Sequence, residues 1–174
     1  MTAGPVPPGA SGSTEHAAPT PPPERVVHAS AAALEVDGAW RGVLITGPSG
    51  AGKSALALEL MSRGARLIAD DRVILRRRGA QLWAAAPEAI AGMIEARGIG
   101  LLRVPDTVTA PIHVVVDLCE AGQERLPPAR RIDLIGLQMP QIRCRTLPLL
   151  PAAVVQLLRG GMIDVPEEER HDES

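Results

Sequence analysis

Aromatic residues are nearly absent from this 174-residue sequence, which contains no Phe, no Tyr and two Trp. Proteins that bind single-stranded nucleic acids stack the bases on aromatic side chains, so this shortage argues against that function. The net charge of −2 also lacks the basic excess that attracts DNA or RNA phosphates. We therefore expect no nucleic-acid partner, and a core built from aliphatic side chains.

Cysteines and long apolar runs are also scarce. Cys119 and Cys144 lack CxxC spacing, which indicates buried thiols in a reducing compartment rather than a disulfide or a metal pair. No run of about 18 apolar residues suggests a membrane-spanning helix. The sequence also begins without the basic and apolar regions of a secretory signal. These absences predict a cytoplasmic protein with no membrane partner.

The composition divides the chain into three segments. Residues 1–24 are rich in proline, glycine and small polar residues, and we expect them to be disordered because they cannot bury enough apolar surface. Residues 25–165 are rich in aliphatic residues and are expected to form one domain. Residues 166–174 are acidic and are interpreted as a solvated tail.

Alternating strand and helix patterns in the central segment predict an α/β domain, with a sheet flanked by helices. Helices are predicted over residues 53–61 and 151–159, and a third from Pro87 through Ile94 to the glycines at 98 and 100. Strands are predicted over residues 42–46, 66–70, 73–76, 81–85, 112–118 and 132–135. The rest of residues 121–148 is expected to be irregular.

One segment matches the phosphate-binding pattern G-x-x-x-x-G-K-[ST]: Gly47-Pro48-Ser49-Gly50-Ala51-Gly52-Lys53-Ser54. Its predicted context, a strand before and a helix after, disfavours the alternative of a glycine-rich turn with an incidental lysine. In such a loop the backbone N–H groups wrap the phosphates, Lys53 bridges the β- and γ-phosphates, and the Ser54 hydroxyl ligates magnesium. The loop therefore predicts ATP and Mg²⁺ as ligands, but not the reaction.

Two adjacent acids, Asp70 and Asp71, end the strand that follows the predicted phosphate-loop helix. Ligands bind at that edge of an open α/β sheet. One carboxylate could bind the metal ion, while the other accepts the proton of an attacking hydroxyl. The order is not fixed by sequence; we prefer Asp71 for the metal and Asp70 for the base. An ordinary acidic turn is the alternative.

Glu95 and Arg97 precede the glycines at 98 and 100. Glu95 could join the metal ligands, and Arg97 could neutralise charge on a transferred phosphoryl group. From the residues alone, a solvated helix end with a glycine cap explains them better.

Five segments, taken in order, resemble the catalytic domain of HPr kinase/phosphorylase in the short form found in proteobacteria. The segments are His28-Ala-Ser30, Val36-Asp-Gly38, the loop of residues 47–54, Leu67-Ile-Ala-Asp-Asp-Arg-Val73 and Ile94-Glu-Ala-Arg-Gly-Ile-Gly100. The similarity covers roughly residues 28–116. The Ala-Asp-Asp-Arg-Val and Glu-x-Arg-Gly-x-Gly segments make it specific, because a phosphate loop alone occurs in many families.

The resemblance implies a kinase that transfers phosphate from ATP to a seryl hydroxyl of HPr, a phosphocarrier protein of the sugar phosphotransferase system. It also implies a phosphate-loop fold shared with phosphoenolpyruvate carboxykinase, assembly into homo-oligomers such as hexamers, and, in many members, reversal by phosphorolysis.

Carried over by motif, Lys53 and Ser54 match the phosphate and magnesium positions. Asp70 and Asp71 match the acid pair, of which one is the catalytic base. His28 matches a histidine near that pair, while Glu95 and Arg97 match the signature loop.

The sequence departs from this family at several positions. Residues 1–24 stand where long members have another domain, Ala55 replaces a frequent acidic residue, and residues 138–143 do not resemble the late Pro-Gly-Arg-Asn loop. Phosphorolysis is therefore left open. There are two alternatives to an HPr kinase. One is a kinase of the same fold that acts on another substrate, and the other is a module that senses nucleotide or phosphate without turnover.

Overall fold

The computed structural model describes Met1 and residues 23–120 and 127–162. Most of the predicted disordered segment and the whole predicted acidic tail lie outside these residues. The strands are β1 (Glu24–His28), β2 (Ser30–Val36), β3 (Ala39–Thr46), β4 (Arg66–Ala69), β5 (Arg72–Arg78), β6 (Gln81–Ala85), β7 (Met93–Ala96), β8 (Gly100–Arg103), β9 (Ala110–Leu118), β10 (Arg130–Leu134) and β11 (Leu137–Cys144). The helices are α1 (Lys53–Met61) and α2 (Leu150–Gly160).

Nine strands form one mixed sheet, which confirms the predicted α/β fold. Its main path runs β1-β5-β6-β9-β3-β2-β4. The long strand β9 pairs with β3 along one side; on the other side its first half pairs with β6 and its second half with β11. Strands β3, β9 and β11 are parallel, so their carboxyl ends meet at one edge. Strand β4 runs in the same direction because it and β3 are both antiparallel to β2.

Apolar residues alternate between the two faces of the central strands, as the pleat requires. On β3, Val43 and Ile45 pack towards α1 and α2, whereas Leu44 packs into a second core beneath β5, β6 and β10. All three side chains are almost completely buried. Truncation of Leu44 to Ala would cost about 2–5 kcal/mol of stability, as large-to-small changes in cores do. Neither helix of the described residues is long and apolar enough to cross a membrane.

The predicted helix after Pro87 is wrong. A short 3-10 turn (Glu88–Ile90) is followed by β7, which pairs with β8 in a separate antiparallel hairpin. Gly92, at φ +71°, turns the chain out of any helical path. Ile94 and Ala96 are then buried while Glu95 between them is exposed, which is the alternation of a strand.

The predicted irregular stretch is also largely wrong. Strand β10 overlaps the predicted strand at 132–135, but β11 had no counterpart in the prediction. Pro140 lies within β11, where a proline argues against a strand assignment. It is tolerated because it precedes Gln141, where pairing of β11 with β9 begins, so Pro140 pairs with β10 alone and needs no N–H for a second strand.

Candidate functional site

The phosphate loop of residues 47–52 joins β3 to α1, as its sequence pattern predicts. Gly47, Gly50 and Gly52 all have positive φ angles. A Cβ on Gly47 would stand 2.5 Å from the Leu118 carbonyl oxygen, so this position also requires glycine because of close packing against β9. The loop therefore presents backbone rather than side chains to a ligand.

Lys53 begins α1 and is buried, with 7% of its surface exposed. Its Nζ donates to the carbonyl oxygens of Gly47, at 3.1 Å, and Pro48, at 2.9 Å. It forms no ion pair with any described residue. A buried cation held by carbonyl groups alone is poorly compensated, which favours an anionic ligand in the loop.

Asp70 follows β4 and is 5% exposed. Its Oδ1 accepts hydrogen bonds from Ser54 Oγ at 2.9 Å and Ser30 Oγ at 2.5 Å, and its Oδ2 accepts one from the Glu95 backbone N–H at 3.0 Å. The carboxylate thus joins β2, α1 and β7. Magnesium prefers such hard oxygen ligands, and the Ser54 hydroxyl and Asp70 carboxylate fit that preference.

Asp71 has the opposite environment. Its side chain is 64% exposed and lies 3.1 Å from His28 Nδ1, measured to Oδ1. The same His28 nitrogen is 2.9 Å from the Asp71 carbonyl oxygen. Asp71 has φ +67°, a left-handed conformation that Asp adopts more readily than most residues. A sharp turn therefore separates one buried carboxylate from one accessible carboxylate that is paired with histidine.

Arg97 lies at the exposed tip of the β7–β8 hairpin. A Cβ on Gly50 would stand 3.7 Å from its Nη2, so the guanidinium lies over the phosphate loop. The structure thus brings Arg97 to the predicted site by a hairpin rather than by a helix end.

The predicted metal set of Ser54, Asp71 and Glu95 is not assembled as such. Ser54 is bonded to Asp70 instead, and Glu95 contributes its backbone N–H while its side chain is exposed. Within residues 23–120 and 127–162, no group of three or more His, Cys, Asp or Glu side chains is placed to hold a metal. A two-residue site at Ser54 and Asp70 fits a metal that keeps water and phosphate oxygens as its other ligands.

Three residues at the site were missed by sequence reasoning. Ser30 donates to Asp70, and Thr146 Oγ1 donates to the Ala51 carbonyl oxygen of the phosphate loop at 2.9 Å. Ser30 lies in the His28-Ala-Ser30 segment, but no role was assigned to it, and Thr146 lies outside every segment identified from the sequence. Asp117 accepts from Thr46 Oγ1 at 3.2 Å at the end of β9. An apolar run ending in an acid, Val114-Val-Val-Asp117, was the signal available for it.

Comparison with known proteins adds a family to this geometry. Residues 23–137 match the family model described as the HPr Serine kinase C-terminal domain. The chain is similar to the HPr kinase/phosphorylase of Alkaliphilus metalliredigens, with 37% identity over 130 residues, and to that of Clostridium tetani, with 50% identity over 126 residues. Each match covers 67% of this chain, which spans 41% of the length of each relative.

A solved structure gives the same indication. The Hpr(Ser) kinase/phosphatase from Coxiella burnetii superposes with a TM-score of 0.65 at 30% sequence identity. The match covers 77% of this chain and 93% of that structure.

Proposed function

The chain belongs to the family of HPr serine kinase C-terminal domains, and we propose that it is an ATP- and Mg²⁺-dependent serine kinase that phosphorylates an HPr-type phosphocarrier protein in the cytoplasm. One observation carries the proposal: a phosphate loop with a buried Lys53, which forms no ion pair with a described residue, lies beside a buried Asp70 and an accessible Asp71. A binding loop, a metal position and a base are the parts that such a transfer requires.

The phosphate loop provides the binding step. Lys53 would exchange the carbonyl oxygens of Gly47 and Pro48 for the β- and γ-phosphate oxygens of ATP. Ser54 and Asp70 would hold Mg²⁺. When bound, Mg²⁺ neutralises negative charge on the phosphates.

Asp71 is the base in this proposal, which reverses the roles preferred from the sequence. Asp70 already accepts three hydrogen bonds and is buried, so a protein hydroxyl cannot reach it as readily as the exposed Asp71. The seryl oxygen attacks the γ-phosphorus, its proton passes to the Asp71 carboxylate, and the bond from phosphorus to the ADP oxygen breaks. His28 holds Asp71 in position at 3.1 Å.

Arg97 stabilises charge on the transferring phosphoryl group, because the guanidinium lies over the loop that holds the phosphates. Phosphorolysis would use the same groups in reverse: an oxygen of inorganic phosphate attacks the phosphorus of phosphoserine, and the bond from phosphorus to the seryl oxygen breaks. The seryl oxygen takes the proton of a protonated Asp71 carboxyl, and pyrophosphate leaves. A homo-oligomer such as a hexamer is part of the proposal through family membership, and light scattering at several protein concentrations tests it.

The experiment is phosphoryl transfer from labelled ATP to purified HPr, with an HPr in which the acceptor serine is replaced by Ala as control. We expect label on the first and not on the second. Lys53→Ala should lower the rate of transfer about 10²–10³-fold, the usual effect of losing one preorganised donor in such a site. Arg78→Ala, at the remote β5–β6 turn, is the matched loss of a cation and should leave transfer unchanged.

Equal labelling of both HPr forms would contradict the assigned acceptor. ATP binding without any transfer would instead favour a sensing module.

A further inference from the structure

Strand β9 carries an acid, Asp117, one residue before its end and beside the phosphate loop. Val114, Val115 and Val116 are buried, and Asp117 follows them at the sheet edge. Asp117 is in parallel register with Thr46, the residue before the loop. An apolar strand ending in Asp next to a phosphate-loop strand is where many nucleotide-hydrolysing enzymes keep a metal-side acid.

The contacts of Asp117 exclude that ordinary role here. Ser54, the hydroxyl that would connect it to a metal, already donates to Asp70 on the opposite side of β3. Asp117 instead accepts from Thr46 Oγ1 and, through Oδ2, from Arg143 Nε, both at 3.2 Å. Asp117 therefore pairs with the guanidinium of Arg143 rather than with a metal ion.

Arg143 lies on β11, opposite Asp117 in register. Its side chain is 43% exposed, its Nε donates to Asp117 Oδ2, and Cys119 is a second hydrogen-bonding neighbour of the guanidinium. The neighbouring Cys119 and Asp117 raise its pKa further above the usual value, so it is a permanent cation. Three residues later, Thr146 contacts the phosphate loop at Ala51. The segment of residues 143–146 therefore lies next to the phosphate loop, on the side of the loop that faces away from Asp70.

We propose that Arg143, positioned by Asp117, binds the nucleoside-side phosphate of a nucleoside 5′-di- or triphosphate in the phosphate loop. Ser54 and Asp70 mark the metal end of the ligand on the β2–β4 side of β3, so the nucleoside end extends towards β9 and β11. The partly exposed guanidinium of Arg143 suits a phosphate, which arginine binds through parallel N–H groups. The inference deepens the proposed function and rests on it.

The test is calorimetric titration of the full chain with Mg·ADP, Mg·ATP and magnesium pyrophosphate. Arg143→Ala should weaken ADP and ATP binding about tenfold, the effect of one charge-assisted contact. Pyrophosphate, which lacks a nucleoside-side phosphate, should lose less than about threefold. Arg143→Lys should be intermediate, because it keeps the charge without the planar fork. Arg78→Ala is the control.

A double-mutant cycle tests whether Asp117 acts by positioning Arg143. Asp117→Ala should weaken ADP binding less than Arg143→Ala does, and the double variant should be no weaker than Arg143→Ala alone. Additive losses would overturn the positioning role. Unchanged ADP affinity in Arg143→Ala, beside its loss in Lys53→Ala, would overturn the inference and leave the proposed function standing. Failure of the unaltered chain to bind ATP would overturn both.

Discussion

Asp70 and Asp71 are adjacent in the chain but differ in burial and in partners. Asp70 is buried among Ser30, Ser54 and the Glu95 N–H, whereas Asp71 is exposed beside His28. The turn between them, with Asp71 at φ +67°, produces this difference. Substitution of each by Asn should therefore give two distinct defects.

Asp71→Asn should cut turnover about 10²–10⁴-fold, because it removes the proposed base. ATP affinity should stay within about twofold, since no contact with the loop is lost. Steady-state kinetics with HPr and calorimetry with Mg·ATP measure the two quantities. Asp106→Asn, at an exposed acid in the loop before β9, is the matched control. Near-normal turnover in Asp71→Asn would refute the base assignment.

Asp70→Asn should weaken Mg·ATP binding and lower stability by about 1–3 kcal/mol, because an amide cannot accept all the hydrogen bonds of a buried carboxylate. Chemical denaturation with and without Mg·ATP measures both effects. An unchanged magnesium dependence would contradict the metal-side role of Asp70.

Among individual residues, the sequence predicts the members of the site that follow one another in a motif. The loop from Gly47 to Ser54 was placed correctly because a strand, glycines and a helix start leave a linear pattern. No role was predicted for Ser30 or Thr146, because Ser30 contacts the site across 40 residues of chain and Thr146 across 95. Such contacts depend on the order of strands in the sheet, and the sequence around each of these residues does not indicate that order.

Among the elements, the β7–β8 hairpin shows where local patterns fail. Its sequence has Pro87 and spaced apolar residues that suit a helix, yet Gly92 and the buried Ile94 and Ala96 fix a strand. Tertiary packing decides the matter, since the hairpin also supplies the Glu95 N–H to buried Asp70. The missed strand β11 has a similar cause: it is stabilised by pairing with β9 and β10 despite Pro140.

The hairpin presents two exposed arginines that permit a matched comparison. Arg97 lies over Gly50 at the tip, whereas Arg103 lies at the end of β8. Arg97→Ala should lower turnover about 10²-fold while ATP affinity changes less than about threefold, because its contact strengthens as charge develops in transfer. Arg103→Ala should change neither. Steady-state kinetics and ATP titration of both variants measure these effects. Equal losses of turnover in the two variants would show that the hairpin contributes only general positive charge.

On the scale of the whole molecule, the site depends on strands that are distant in sequence. The phosphate loop and the adjacent Asp70 are contacted by residues from β2, β9, the β7–β8 hairpin and the segment after β11. The α/β class was predictable from the alternation of apolar patterns, but the order β9-β3-β2-β4 was not. Parallel and antiparallel neighbours with the same apolar alternation give no sequence signal that distinguishes their order.

Strand β1 sets the amino-terminal limit of the part that supports the site. Glu24 pairs with Arg76 across β1 and β5, and the strand ends at His28 beside Asp71. The boundary after residue 24 that the composition suggested therefore falls inside a strand. Removal of residues 1–22 should leave the melting temperature, ATP affinity and HPr phosphorylation unchanged, because this proline-rich sequence has few apolar side chains that could anchor it to the site.

Removal of residues 1–28 is the informative contrast, since it deletes β1 together with His28. We expect at least about a tenfold loss of turnover, because Asp71 loses the partner that holds it, and a lower melting temperature because β5 becomes an uncovered edge. A third protein, His28→Ala in the chain without residues 1–22, separates the two causes: it should reproduce the kinetic loss and retain the melting temperature. Thermal unfolding and the HPr assay on all three proteins provide the measurements. Full activity after removal of residues 1–28 would exclude both β1 and His28 from the catalytic arrangement.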